Sequence, residues 1–115
     1  MKETIGKINK FRDERDWRQF HNEKDLAISI SIEASELLEL FQWKTSEVTV
    51  SEKLPQIKEE LADVFIYAFM LADNLNLDVE KIIDDKIVVN SKKYPIKESF
   101  GSNKKYTELE VKEKN

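Results

Sequence analysis

At 115 residues the chain has the length of one domain, and a domain this small buries only about two-thirds of its unfolded surface, which favours oligomerisation. Charged residues make up 37% of it, glycine and proline occur twice each and alternating β-branched runs are almost missing, so an all-α chain is expected and a sheet is not. A formal net charge of −4 argues against nucleic acid as a partner, because such binding draws on lysines and arginines that neutralise phosphates.

The first predicted helix is capped by Thr4 and runs to about Asp16, with Ile5, Ile8 and Phe11 at helical spacing and Arg12 one turn beyond Ile8. Residues 16–24 (DWRQFHNEK) break the pattern and read as a connection. Trp17 and Phe20 there either close the end of the core or bind something, since aromatics commonly supply core area. His21 is the chain's one histidine.

Two acidic helices follow, residues 26–44 (LAISISIEASELLELFQWK) and 56–75 (QIKEELADVFIYAFMLADNL). Each carries two acids three residues apart: Glu33 and Glu36, then Glu60 and Asp63. At about 100° per residue such a pair projects from one helix face. Leu26, Ser29, Ile30, Leu37 and Leu40 surround the first pair, while Ser31, Ser35 and Gln42 gather opposite. Around the second pair lie Ile57, Val64, Tyr67, Leu71 and Leu75, with Lys58 pointing elsewhere. Both pairs therefore sit in apolar stripes.

Burying ionised carboxylates costs several kcal/mol each, unless counter-charge is supplied. Two readings of the pattern stand side by side: a metal site, or acids that are solvated or paired with lysines. With no cysteine in the chain, and no histidine on either helix, an all-carboxylate site would suit a hard cation, Mg²⁺ or Mn²⁺. The Glu-x-x-His motif of di-iron bundles is missing.

Between these helices, residues 45–53 (TSEVTVSEK) read as a polar connection, and Pro55 falls in the opening turn of the second. Asp78 caps a third major helix, with Val79, Ile82, Ile83, Ile87 and Asn90 inward, up to Lys93; Tyr94-Pro95 ends it. From residue 96 the sequence is charged and poor in core formers, so a domain over 1–95 and an extended or disordered tail over 96–115 are expected. No apolar run approaches the roughly 20 residues of a membrane span, and residues 1–10 lack the apolar centre of a secretory signal, so a cytoplasmic protein is expected.

Glu33-x-x-Glu36 followed by Glu60-x-x-Asp63 resembles the signature of the MazG-like, all-α nucleoside triphosphate pyrophosphohydrolases. RDWRQFH (15–21), ELLELFQWK (36–44), EELADVFIY (59–67), NSKKYP (90–95) and KKYTEL (104–109) are similar to the dCTP pyrophosphatase branch. The paired acids are a weak motif alone; the tryptophans and the third helix ending in Tyr-Pro make the combination specific.

The resemblance implies a helical bundle, a four-helix-type core assembled as a homodimer or homotetramer. It also implies Mg²⁺ held by Glu33, Glu36, Glu60 and Asp63, and hydrolysis of a nucleoside triphosphate between the α and β phosphates. One of the two catalytic acids Glu33 and Glu36 would also position water, with Glu39 a lesser candidate. On the same grounds Trp17, His21, Trp43 and Tyr67 would surround the base, and Lys86, Asn90, Lys93 and Tyr94 would meet phosphates or sugar. The expected substrate is dCTP or a modified pyrimidine triphosphate. The alternatives are a damaged purine triphosphate, or a non-catalytic helical interaction module stabilised by metal. Two departures from the pattern are Ile32 and Ser35 beside the first acids, and a Ser-Lys-Lys run before Tyr94 where arginines are usual. A lysine offers a point charge in place of arginine's bidentate fork, which bears on substrate affinity.

Overall fold

Capping and left-handed turns decide where the helices begin and end. A computed structural model describes residues 1–109, all α-helix, 3-10 turn or loop, in two units: Met1–Asp78 and the segment from Val79 onward. The second unit begins at Val79, the first residue of the third major helix.

The first unit contains α1 (Lys2–Glu14), a 3-10 turn (Arg18–Phe20), α2 (Glu23–Glu39) and α3 (Ser46–Asn74). Helix α1 starts before the expected Thr4 cap and makes no side-chain capping bond. Its end is a Schellman motif. Asp16 takes φ 52°, its N–H donates to the Asp13 carbonyl at 3.1 Å, and the Trp17 N–H donates to the Arg12 carbonyl at 2.9 Å. The apolar contact that accompanies this motif is also present, as Phe11 and Trp17 meet edge to face with centroids 5.5 Å apart.

Helix α2 begins three residues earlier than expected because Asn22 caps it: Asn22 Oδ1 accepts the Asp25 N–H at 2.9 Å, and Glu23 and Asp25 complement the dipole of the first turn. It ends at Glu39, not at Lys44. Bonds from Phe41 N–H to Leu38 and from Gln42 N–H to Glu39 tighten the chain into turns, and Trp43 takes φ 64°.

The expected polar connection over residues 45–53 is helical. Thr45 Oγ1 accepts the Val48 N–H at 3.3 Å and starts α3, and the break in helical geometry at Lys53 divides it into two stretches, so Pro55 falls in the opening turn of the second as expected. The helix accommodates it with a kink at Lys53 (φ −126°, ψ 24°), where the missing N–H and the ring's clash with the preceding turn are relieved. A second Schellman motif closes α3: Asn76 at φ 54° donates to the Asp73 carbonyl at 3.0 Å and Leu77 to the Ala72 carbonyl at 2.9 Å.

Helix α2 packs chiefly on α3, and α1 also lies on α3. The apolar stripes are where the helical wheel puts them: Leu26 is buried, Ser29, Ile30, Leu37, Leu40, Ile57, Val64, Tyr67 and Leu71 are half-buried, and Ser31, Ser35, Gln42 and Lys58 are exposed; only Leu75 of the expected set is exposed. Ile28, Ile32, Leu38, Leu61 and Phe65 are large apolar residues left open to solvent.

The second unit contains α4 (Val79–Lys93), the short α5 (Ile96–Ser99) and a 3-10 turn (Tyr106–Glu108). Helix α4 starts directly after Asp78. Val79 is buried, but Ile82, Ile83, Ile87 and Asn90, expected on the inward side, are exposed. Residues 96–109 are not the extended tail expected: Tyr106 meets Tyr94 edge to face at 6.1 Å, and Lys93 Nζ lies 4.9 Å from the Tyr106 ring centre. Residues 110–115 of the expected tail lie outside the described residues. Among the described residues no helix is long and apolar enough to cross a membrane.

Candidate active site

The contact between α2 and α3 sets their acidic faces against each other. One carboxylate oxygen from each of Glu33, Glu36 and Glu60 lies within 4.8 Å of the other two. Asp63 stands outside that trio, but its negative charge adds to the perturbation of both Glu33 and Glu60. Glu33, Glu60 and Asp63 are half-buried.

Protonation records how much negative charge is crowded here. The Glu33 carboxyl is pushed up to about 7, first by burial, then by the neighbouring Glu36 carboxylate, with Asp63 and Glu60 adding to it. Burial and Glu36 likewise raise Glu60. Tyr67 is raised by burial and then by the charges of Glu33, Asp63 and Glu36, so its phenol keeps its proton and serves as a donor.

Glu33 Oε2 and Glu60 Oε2 are buried and have no hydrogen-bond partner. Among the described residues no lysine or arginine forms an ion pair with any of the four acids. Clustered hard oxygen donors, two of them buried and unsatisfied, with no cation from the protein, fit a hard divalent metal ion. The alternative that these acids are paired with lysines does not hold.

Beside the acids lies a pocket of ≈ 400 Å³ between α1, the 17–21 segment and α3, lined by Lys7, Ile8, Phe11, Trp17, His21, Asp63, Ile66, Tyr67 and Met70. Trp17 and His21 meet edge to face at 6.4 Å, and the Arg15 guanidinium covers Phe11 at 3.9 Å. Burial, then the charges of Arg12 and Arg18, lowers the His21 pKa, which keeps the ring neutral at neutral pH. Asp63 is common to the two halves of the site: it faces the pocket and perturbs the carboxylates.

Of the residues expected around a base, Trp17, His21 and Tyr67 line this pocket. Trp43 does not line it; the left-handed turn after α2 leaves it 93% exposed. Lys86, Asn90, Lys93 and Tyr94 belong to the second unit, where Lys86 and Asn90 are exposed and Lys93 and Tyr94 share Tyr106 as a neighbour. Lys7, Ile8, Phe11 and Met70 were not expected at a site. The spacing of Ile8 and Phe11 pointed inward without distinguishing a packed core from a cavity wall.

Residues 28–109 match the MazG-like family. The chain belongs to that family. This MazG-like chain is 38% identical over 113 residues to dCTP pyrophosphatase 1 of Mus musculus, and 38% identical over 117 residues to dCTP pyrophosphatase 1 of Homo sapiens. Each alignment covers 93% of this chain, which spans 66% of the length of these relatives. The crystal structure of a pyrophosphatase from Archaeoglobus fulgidus superimposes with a TM-score of 0.79 at 38% identity, covering 83% of this chain and 92% of that one.

Proposed function

We propose that this MazG-like chain is a Mg²⁺-dependent nucleoside triphosphate pyrophosphohydrolase acting on dCTP or modified pyrimidine deoxynucleotides, in the cytoplasm, as nucleotide-pool sanitation. The observation that carries the reading is the carboxylate trio with its unsatisfied buried oxygens, adjoining an aromatic pocket through Asp63. The relatives named dCTP pyrophosphatase 1 support the substrate class.

Glu33, Glu36, Glu60 and Asp63 would hold the cation, Mg²⁺ or Mn²⁺ in its place. When bound, such a cation neutralises phosphate oxygens and makes the phosphorus more electrophilic. Glu33 or Glu36 holds the attacking water and takes its proton. Water adds across the α–β anhydride: its hydroxyl ends on one phosphorus, the bridging oxygen leaves with the other, and the products are a nucleoside monophosphate and pyrophosphate.

Trp17 offers the base a planar face, an interaction worth roughly 1–3 kcal/mol. Tyr67 donates a hydrogen bond, and neutral His21 offers one donor and one acceptor. Trp43 is retained as a base contact, and Lys86, Asn90, Lys93 and Tyr94 as phosphate and sugar contacts, on the family resemblance alone. The exposed apolar residues of α2 and α3 support a homodimer or homotetramer.

The test is to incubate the purified protein with Mg²⁺ and a panel of common and modified dNTPs, purines included, and to assay pyrophosphate separately from orthophosphate. Pyrophosphate with a monophosphate product, greatest for a cytosine nucleotide, is expected. Orthophosphate alone overturns the cleavage position; a preference for purines overturns the substrate; no product from any nucleotide overturns the activity.

A further inference from the structure

Arg12 is fully buried, the one charged side chain so enclosed among the described residues. A charge in that position is tolerated only when it is met by hydrogen bonds and counter-charge. Arg12 Nε donates to Asn9 Oδ1 at 3.2 Å, and its Nη2 donates to Asp73 Oδ2 and to Asn74 Oδ1, both at 3.0 Å. Asp73 also meets Arg18 Nη1 at 3.5 Å, while Arg18 pairs with Asp13. Asn74 passes the connection on, because its Nδ2 donates to the His21 carbonyl at 2.6 Å.

These bonds converge on the short segment that supplies Trp17 and His21 to the pocket. Its first residue is held by the Trp17 N–H on the Arg12 carbonyl, its middle by Arg18 on Asp73, and its last by Asn74 on His21. Within the segment the backbone contributes only the bonds of one 3-10 turn, Phe20 N–H to Trp17 and His21 N–H to Arg18. The placement of the aromatic wall is therefore set from outside, by the last residues of α3. None of Arg12, Arg18, Asp73 or Asn74 lines the pocket itself.

We propose that Arg12, Arg18, Asp73 and Asn74 are positioning residues that fix the Trp17 and His21 wall, so that nucleotide affinity depends on them while turnover at the carboxylates does not. The proposal rests on the reading of this pocket as the base site.

Asn74→Asp separates the two halves of the network: it keeps an acceptor for Arg12 but removes the donor to the His21 carbonyl. With dCTP at saturating Mg²⁺, KM is expected to rise about tenfold, with kcat within about twofold and the Mg²⁺ dependence unchanged. An activity-free readout accompanies it. In a Trp43→Phe background Trp17 is the remaining tryptophan, and acrylamide quenching of its fluorescence is expected to increase clearly in Asn74→Asp at unchanged helix content. Arg18→Gln alters a half-exposed side chain and gives the same comparison, with a KM rise of about threefold, if Asn74→Asp does not fold. Unchanged quenching, unchanged KM, or a loss confined to kcat overturns the proposal. A parent protein that hydrolyses no nucleotide refutes the functional reading instead, and the quenching comparison then decides whether the network holds Trp17.

Discussion

Replacing Glu33 by glutamine should make the metal-free protein more stable and the enzyme inactive, a combination that a structural acid would not give. Glu33 has Glu36 and Glu60 oxygens within 4.8 Å and no cationic partner among the described residues. At that separation two unit charges repel by roughly 1 kcal/mol in water and roughly 3.5 kcal/mol at an effective dielectric constant of about 20. Glu33 is half-buried, so the screened end applies, and about 1 kcal/mol is the expected gain on neutralising it. For a domain of this size that corresponds to a Tm increase of about 4 °C. The gain should be full at pH 8, shrink as the pH falls through about 7 and vanish only below the ordinary 4.5, because between those values the ionised Glu33 of the unfolded parent must still take up a proton on folding. Differential scanning fluorimetry in chelator across that range measures it, with pyrophosphate release assayed on the same samples. A Tm that falls in Glu33→Gln, or turnover near that of the parent, would refute the argument from carboxylate crowding.

Three further outcomes follow from the same geometry. The metal-free parent should itself gain stability as the pH is lowered. A carboxyl whose folded pKa of about 7 exceeds its ordinary 4.5 contributes stability that is complete below 4.5 and lost as the pH rises through 7; saturating Mg²⁺ should flatten that slope, which thermal melts with and without metal will read. Trp17→Ala should raise KM for dCTP by about tenfold, within the roughly 1–3 kcal/mol of a base stack, and leave the Mg²⁺ concentration for half-maximal rate unchanged; a shift in that concentration would mean that the pocket and the metal centre are not separable. Asn22→Ala, which removes the acceptor for the Asp25 N–H, should cost about 1 kcal/mol and lower Tm by a few degrees with kcat intact, as measured by melting and steady-state kinetics.

The acid faces were legible because helical periodicity survives packing. Glu33, Glu36, Glu60 and Asp63 were placed by 100° steps, and the two acidic stripes do meet. Helix ends were less legible, since they depend on one residue's backbone geometry. Asp16, Trp43 and Asn76 all take positive φ without being glycine; the ends near Asp16 and residue 75 were expected within two residues, at an Asp and an Asn that tolerate this conformation, whereas Trp43 gave no such signal and α2 stops short of the expected Lys44. Asn22 and Thr45 were both read as parts of connections, because a short polar stretch such as residues 45–53 reads equally as a connection or as a capped first turn until Thr45 is seen bonded to Val48. The pocket was half legible: Trp17 stood out as an aromatic in a charged setting, while Phe11 and Met70 looked like any core residue. Arg12 was the most obscure, since only its register with Ile8 hinted that a charge was turned inward.

The two halves of the site are built by different means, and that difference assigns them different sensitivities. The carboxylates stand on the long helices α2 and α3, where helix-on-helix packing fixes their spacing over many side chains, so a single surface change hardly moves them. Trp17 and His21 stand on a five-residue link whose geometry depends on two Schellman motifs: one sets the direction of the chain as it leaves α1, and the other closes α3 just beyond Asp73 and Asn74. A link held by so few bonds opens at lower free energy than the helices it joins. Variation near Asp16 or Asn76 should therefore alter which nucleotide is bound, whereas variation along the acidic faces of α2 and α3 should alter whether it is hydrolysed. Asp63 is the exception, because its carboxylate belongs to both halves, and replacing it should change affinity and turnover together.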